Sequence, residues 1–200
     1  MAHPEQRVFF EKMRDSFPDA FAGVSVLEVG SLNINGTVRD FFDAKEYIGV
    51  DLVDGPGVDR VCAGQSLDYV DNWFDVVVSA ECFEHNSEWV ATFANMARMS
   101  GRYVFFTCAS TGRAEHGTHG AHPGDSPATH DYYMNLTEQD FRDCFDLPTM
   151  FAEYGFEYND QSCDLYFYGV KFATKEMKSF INAMDRLSLP KRFEGRDAVN

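Results

Sequence analysis

Apolar residues along this chain follow two rhythms, short unbroken runs and longer stretches with helical spacing. Val24-Ser-Val-Leu-Glu-Val29, Tyr47-Ile-Gly-Val-Asp51, Val58-Asp-Arg-Val-Cys62, Phe74-Asp-Val-Val-Val-Ser79 and Arg102-Tyr-Val-Phe-Phe-Thr107 are of the first kind and read as strands. The β-branched run at 74–79 has no polar alternation, as expected of a strand buried on both faces. Pro4 to Phe17 reads as a helix, with Pro4 in its first turn and Val8, Phe9, Met13 and Phe17 on one side. Thr37 to Phe42 looks like the start of another, and Glu88 to Met99 is a third, with Trp89, Phe93 and Met96 sharing a face. Strands alternating with helices predict an α/β domain built on a parallel sheet with right-handed crossovers.

The rhythm breaks between Ala109 and Asn135, a stretch rich in Gly, His, Thr and Pro with no periodicity. A loop of that length in a compact domain is usually functional or disordered. Thr137-Glu-Gln-Asp140 then reads as a capped helix start, an Asp standing where a capping box usually has Glu. Gly155-Phe-Glu-Tyr158 and Leu165-Tyr-Phe-Tyr168, parted by Asn159-Asp160, predict an antiparallel hairpin. Ala173 to Leu187 reads as a final helix and 188–200 as a tail, so residues 1–200 form one domain, opening on an N-terminal helical segment (1–20), with no internal repeat.

Composition narrows the function classes. A 44% hydrophobic content suits a globular protein. No apolar run approaches the roughly 20 residues of a membrane span, which predicts no membrane partner and a cytoplasmic location by default. A net charge of −15 argues against gripping nucleic acid through its phosphates; the one basic cluster, Lys191, Arg192 and Arg196, reads as a solvated tail. Five widely spaced cysteines without a C-x-x-C pair suggest buried free thiols rather than disulfides or a cysteine zinc site. The sequence sets no oligomeric state.

Candidate chemistry begins at Leu27-Glu-Val-Gly30-Ser-Leu-Asn-Ile-Asn35-Gly36, which leaves the first strand at the sheet edge where open α/β folds bind ligands. A dinucleotide loop would need glycines where Leu32 and Asn35 stand, and no phosphate-loop motif is present. Asp51 ends the next strand about 20 residues on, placed to accept hydrogen bonds from both hydroxyls of a ribose. A ribose-binding acid without a phosphate loop points to a phosphate-free adenosine, although Asp51 could instead serve as a helix cap, Gly30 as a plain turn and Glu28 as a buried acid bonded to backbone amides.

Val26-Leu-Glu-Val-Gly-Ser-Leu-Asn-Ile-Asn-Gly-Thr-Val-Arg39, Tyr47-Ile-Gly-Val-Asp-Leu52 and Phe74-Asp-Val-Val-Val-Ser-Ala-Glu-Cys-Phe-Glu-His85 resemble the first, second and fourth motifs of class I S-adenosylmethionine-dependent methyltransferases, in particular the small type 11-like bacterial and phage domains. The likeness covers about residues 24 to 110. It implies a Rossmann-like, seven-stranded, mostly parallel sheet with an antiparallel last strand and helices on both faces. It implies S-adenosylmethionine as cofactor, with Glu28 and Gly30 by the methionine moiety, Asp51 on the ribose and Leu52 against the adenine. Ser31, Asn35, Gly64, Gln65, Ala80 and Glu81 complete the implied cofactor site. Many relatives carry an acid for the adenine amino group where this chain has Cys62-Ala63-Gly64-Gln65; Gln65 or a backbone carbonyl is its stand-in.

Methyl transfer needs a base only when the acceptor must lose a proton. Glu81, Glu84 and His85 follow the fourth strand, and His85 is the first candidate base, with a helix-capping or packing role as its alternative. Asp131 is a second candidate. In the long loop, His116, His119, His122, His130, Tyr132 and Tyr133 form a candidate substrate lid, with Asp125 as a further polar group. Imidazoles and carboxylates could hold a metal, but their spacing matches no zinc pattern, so no metal ligands are assigned. The leading expectation is methyl transfer to an oxygen or nitrogen of a small molecule. The alternatives are a non-catalytic S-adenosylmethionine-binding module and a nucleic-acid methyltransferase, the latter disfavoured by acidity and by the lack of an Asn- or Asp-Pro-Pro-aromatic motif.

Overall fold

A computed structural model describes residues 4–173. The expected final helix from Ala173, the tail and its basic cluster lie outside the described residues, apart from Ala173 itself.

Seven strands form one sheet in the order β3-β2-β1-β4-β5-β7-β6. They are β1 (Ala22–Val29), β2 (Asp43–Asp51), β3 (Arg60–Val61), β4 (Phe74–Ala80), β5 (Ser100–Ala109), β6 (Glu153–Asn159) and β7 (Asp164–Val170). β1 pairs in parallel with β2 and β4, β2 with β3, and β4 with β5. β7 runs antiparallel to both β5 and β6. The predicted hairpin is present, with longer strands and its turn at 160–163, where Cys163 adopts a positive φ of 55°.

The apolar strands are buried on both sides because each face has its own layer. Leu27, Val29, Phe74 and Val77 point into one core with Phe106 and Phe167. Val24, Val26, Val76 and Val78 point into the other with Phe105 and Tyr166. Helix α1 (Pro4–Ser16) covers the second core with Phe9, Phe10 and Met13. Helix α2 (Trp89–Met99) covers the first, and the 4-3 spacing of Trp89, Phe93 and Met96 puts all three on the buried face. Phe93 packs edge to face on Phe106, Phe141 and Phe167 at 5.3–5.7 Å, contacts that add about 0.5–1.5 kcal/mol each beyond burial. Helix α3 (Glu138–Cys144) opens with a complete capping box: Thr137 receives the Asp140 amide and Asp140 receives the Thr137 amide. A single turn, α4 (Leu147–Met150), leads into β6.

One expected element is corrected. Thr37 to Phe42 does not begin an α-helix; it makes one tight 3-10 turn at Arg39–Phe41 and runs straight into β2. Val38 and Phe41 must reach the core beside α1 while β2 starts at Asp43, which leaves no room for a second turn.

Candidate active-site cleft

The carboxyl ends of β1, β2 and β4 converge on a cleft of about 310 Å³, within the usual range of small-molecule pockets. Its floor is the turn after β1. Gly30 sits at φ 81° and donates its amide to Val50 O at 2.8 Å. A Cβ on Gly30 would meet Cys82 Cβ at 2.5 Å, so the turn and the chain leaving β4 touch at backbone distance. Cys82 is part of the lining, and burial pushes its thiol up to about 12, so it is a neutral wall rather than a nucleophile.

Asp51, at the end of β2, accepts the Leu32 amide at 3.0 Å on one oxygen and the Leu52 amide at 2.7 Å on the other. It therefore braces the first two turns and caps no helix. A carboxylate has about four acceptor sites, so each oxygen keeps capacity for a ligand hydroxyl. Leu32, Ile34, Leu52 and Cys62 form an apolar wall around it. Gly64 and Gln65 lie opposite; Asn95 holds the Gly64 carbonyl at 2.8 Å and the Thr92 hydroxyl reaches Gln65 Oε1 at 3.3 Å. Glu81 lines the cleft from a left-handed conformation, φ 52°, unusual for a residue with a side chain and typical of strained functional turns.

His85 is buried and reaches the cleft wall. Burial, and then the neighbouring His116, lowers its imidazole to about 4, so it is neutral near pH 7. Glu84 beside it is fully buried, and desolvation followed by the charge of Glu81 raises its carboxyl well above the ordinary range.

The long segment 109–135 is an ordered cover. Asp125, Ser126, Pro127, Ala128, Thr129, Asp131 and Tyr132 line the cleft from above. It is tied down at both ends: Ser110 donates to the Leu136 carbonyl at 2.6 Å, the Asn135 amide to the Arg113 carbonyl at 2.9 Å, and the Met134 amide to the Glu84 carbonyl at 2.8 Å.

Of the sequence-derived site residues, the cleft gathers Gly30, Asp51, Leu52, Gly64, Gln65, Glu81, His85, Asp131 and Tyr132. Others fall elsewhere. Glu28 points to the far side of β1, where Tyr47 donates to it at 2.8 Å and burial raises it to about 7. Ser31 is buried against Gly49, Ala80 is buried in the sheet, and Asn35 lines a separate cavity with His116 and His122. His119 pairs with Asp131 at 3.2 Å on the surface, and the His130 ring donates to the Pro123 carbonyl at 2.8 Å. His116 and Tyr133 pack behind His85, at ring distances of 4.9 and 5.5 Å. The lid is thus made by the stretch from Asp125 to Tyr132, and the histidines that drew attention to it mostly serve its own structure. Asn86, Ser87 and Glu88 also line the cleft. Their position just after β4, at the carboxyl edge, was a usable signal for them.

No protein-family model matches the chain, and no curated protein matches it in sequence. Solved structures do. The YcgJ protein of Bacillus subtilis superimposes with a TM-score of 0.57 at 12% identity over 84% of this chain and 99% of its own. Phosphoethanolamine N-methyltransferase 2 of Haemonchus contortus, solved with S-adenosyl-L-methionine, gives 0.58 at 14% over 83% of this chain and 53% of its own. The 1,6-didemethyltoxoflavin-N1-methyltransferase of Burkholderia thailandensis, solved with S-adenosylhomocysteine, gives 0.51 at 15% over 86% and 92%. The chain has the class I methyltransferase fold, including the antiparallel seventh strand.

Proposed function

We propose that the chain is an S-adenosylmethionine-dependent methyltransferase acting on an oxygen or nitrogen of a small molecule. The observation that carries this reading is the charge of the cleft. Asp51, Glu81, Glu88, Asp125 and Asp131 line it, and among the described residues no Lys or Arg does. That donor set repels a nucleotide's phosphates and suits a ligand carrying an ammonium and a sulfonium. The apolar wall around Asp51 suits an adenosine: a ribose on the carboxylate, a base against Leu52 and Leu32. The neighbours solved with S-adenosylmethionine or its demethylated product share the sheet that presents this edge.

The cofactor supplies an electrophilic methyl group; the chain supplies place and exclusion. Asp51 fixes the sugar end while the Asp125–Tyr132 segment closes the opposite side and keeps water out. His85 offers a neutral imidazole to the cleft, but a pKa near 4 makes it a weak base. Its part in this reading is to orient the acceptor, and catalysis rests mainly on alignment of an in-line displacement. The acidic cleft also disfavours nucleic acid as the acceptor.

Calorimetry of the full chain with S-adenosylmethionine, S-adenosylhomocysteine, ATP and NAD tests the reading. The first two should bind with one-to-one stoichiometry and the phosphate-bearing pair should not. Failure of both sulfur ligands to bind would sink it. Formation of S-adenosylhomocysteine across a panel of hydroxyl and amine metabolites then identifies the acceptor class.

A further inference from the structure

Directly behind the cleft wall, three side chains of metal-ligand type come together. Glu84 and His85 leave the turn after β4 (Phe83–His85), and His116 arrives from the segment after β5. Their exposures are 0%, 6% and 9%, and one ligand atom from each lies within 4.8 Å of the other two. Neither Glu84 nor His116 lines the cleft; His85 alone is shared with its wall, so the cluster borders the proposed cofactor site through that one ring.

Ordinary packing does not explain this arrangement. Both carboxylate oxygens of Glu84 are buried and make no hydrogen bond to another described residue; only its own backbone amide bears on the carboxyl. The nearest approach, to His85 Nε2, is 3.9 Å, beyond hydrogen-bond length. Such a group is costly to bury without a partner. His85 Nδ1 is likewise buried and unbonded. His116 gives its Nδ1–H to the Ala114 carbonyl at 3.1 Å, which leaves Nε2 with its lone pair free. A backbone carbonyl holding one nitrogen of an imidazole, leaving the other for the metal, is how proteins orient metal-binding histidines.

We infer that Glu84, His85 and His116 form a binding site for one first-row divalent transition-metal ion. Two imidazoles and a carboxylate select zinc and its neighbours over magnesium or calcium, which take oxygen ligands. Ligands about 2.1 Å from a tetrahedral ion sit roughly 3.4 Å apart, so atoms within 4.8 Å of one another need to close by up to about 1.4 Å, which side-chain rotation can supply. Three protein ligands is also the count of zinc sites that keep a position open. The ion would clip the segment after β5 to the end of β4, behind the His85 wall of the cleft.

The test uses the full chain, stripped with chelator and exchanged into chelator-free buffer. Zn²⁺ is added, excess is removed by desalting, and metal is counted by mass spectrometry; Co²⁺ is titrated in parallel and followed by its visible ligand-field bands. One equivalent of retained Zn²⁺, and a Co²⁺ spectrum that Zn²⁺ abolishes, are expected. Glu84→Gln and His116→Gln should each weaken binding at least on the order of 100-fold, the upper end of what losing even an outer partner costs. A His119→Gln, His130→Gln double variant controls for the surface pair whose rings lie 4.9 Å apart, and should bind as wild type. Absence of stoichiometric binding by the folded wild-type chain overturns the inference, whatever the variants do. Binding that survives Glu84→Gln and His116→Gln but disappears in the double variant overturns it too. None of these readouts involves S-adenosylmethionine, so they stand apart from the calorimetric test of methyl transfer.

Discussion

Glu28 gives the fold a built-in pH dependence that one substitution should remove. Its carboxyl is 4% exposed, on the side of β1 away from the cleft, and its one described side-chain partner is the Tyr47 hydroxyl at 2.8 Å. Burial raises it from an ordinary 4.5 to about 7; the bond from Tyr47 opposes that shift and is outweighed. The folded protein therefore holds this proton more tightly than the unfolded chain. For a raised pKa, the stability contribution is complete below 4.5, declines as pH rises, and is gone above 7. A gap of about 2.5 units corresponds to about 3 kcal/mol in all. Roughly 2 kcal/mol of that is already lost at pH 6, and about 1 kcal/mol more should go between pH 6 and 8.5.

That upper window is the practical one, because the sequence pI of 4.6 makes the chain prone to precipitate in acid. Glu28→Gln keeps the shape and a hydrogen-bonding oxygen for Tyr47 but cannot ionise. Urea unfolding of wild type and variant at matched pH values from 6 to 8.5 isolates the residue, since every other titrating group cancels in the difference. The variant should gain about 1 kcal/mol on wild type across the window, or roughly 2–4 °C in Tm for a domain of this size. The offset at any single pH is not the test; the slope is. A difference that stays level with pH would refute the claim that desolvation outweighs the tyrosine.

Three further outcomes follow from the geometry. Asp51→Asn should weaken S-adenosylmethionine binding about 10- to 100-fold, the worth of about 1.5–3 kcal/mol for a charged hydrogen bond, and calorimetry would read it. Gly30→Ala puts a Cβ 2.5 Å from Cys82 Cβ at φ 81°; the left-handed penalty alone is about 1–2 kcal/mol, so a Tm drop of several degrees with impaired cofactor binding is expected by differential scanning fluorimetry. Thr137→Ala breaks the capping box of α3 and should cost about 1 kcal/mol, or roughly 2–4 °C in Tm by thermal melting, without touching the cleft.

Most of the sheet was legible in the sequence because its strands are buried on both faces and written as unbroken apolar runs. Val76, Val77 and Val78 are all fully buried, and their uninterrupted run was itself the signal. Local signals also held where the chemistry is local: Thr137 and Asp140 make their capping box within four residues. The error at Thr37–Phe42 came from competition that a short window does not show, between the turn's own propensity and the early start of β2. In the cleft, Gly30 and Asp51 were legible because one turn and one strand end determine their places. Glu28 is absent from the cleft lining for a complementary reason. Its two neighbours, Leu27 and Val29, point to the α2 side, so strand alternation turns Glu28 to the other face, where Tyr47 meets it.

The cluster behind His85 shows a different limit. Glu84 and His85 are adjacent in sequence and His116 is about thirty residues away, a spacing that fits no local metal motif. What joins them is the parallel pairing of β4 with β5, which brings the segments following both strands to one edge of the sheet. The register sets Ala80 beside Thr107, so the chain just past β4 and the chain past β5 must share that space. The Met134 amide bonded to the Glu84 carbonyl and the Ala114 carbonyl bonded to His116 then fix where they meet. The histidines of the long loop looked equivalent as a composition. Burial separates them: His116 is turned inward to a carboxylate without a partner, while His119 stays at the surface with Asp131. A buried acid with no partner from another described residue, facing two imidazoles, is what the inferred divalent ion would satisfy.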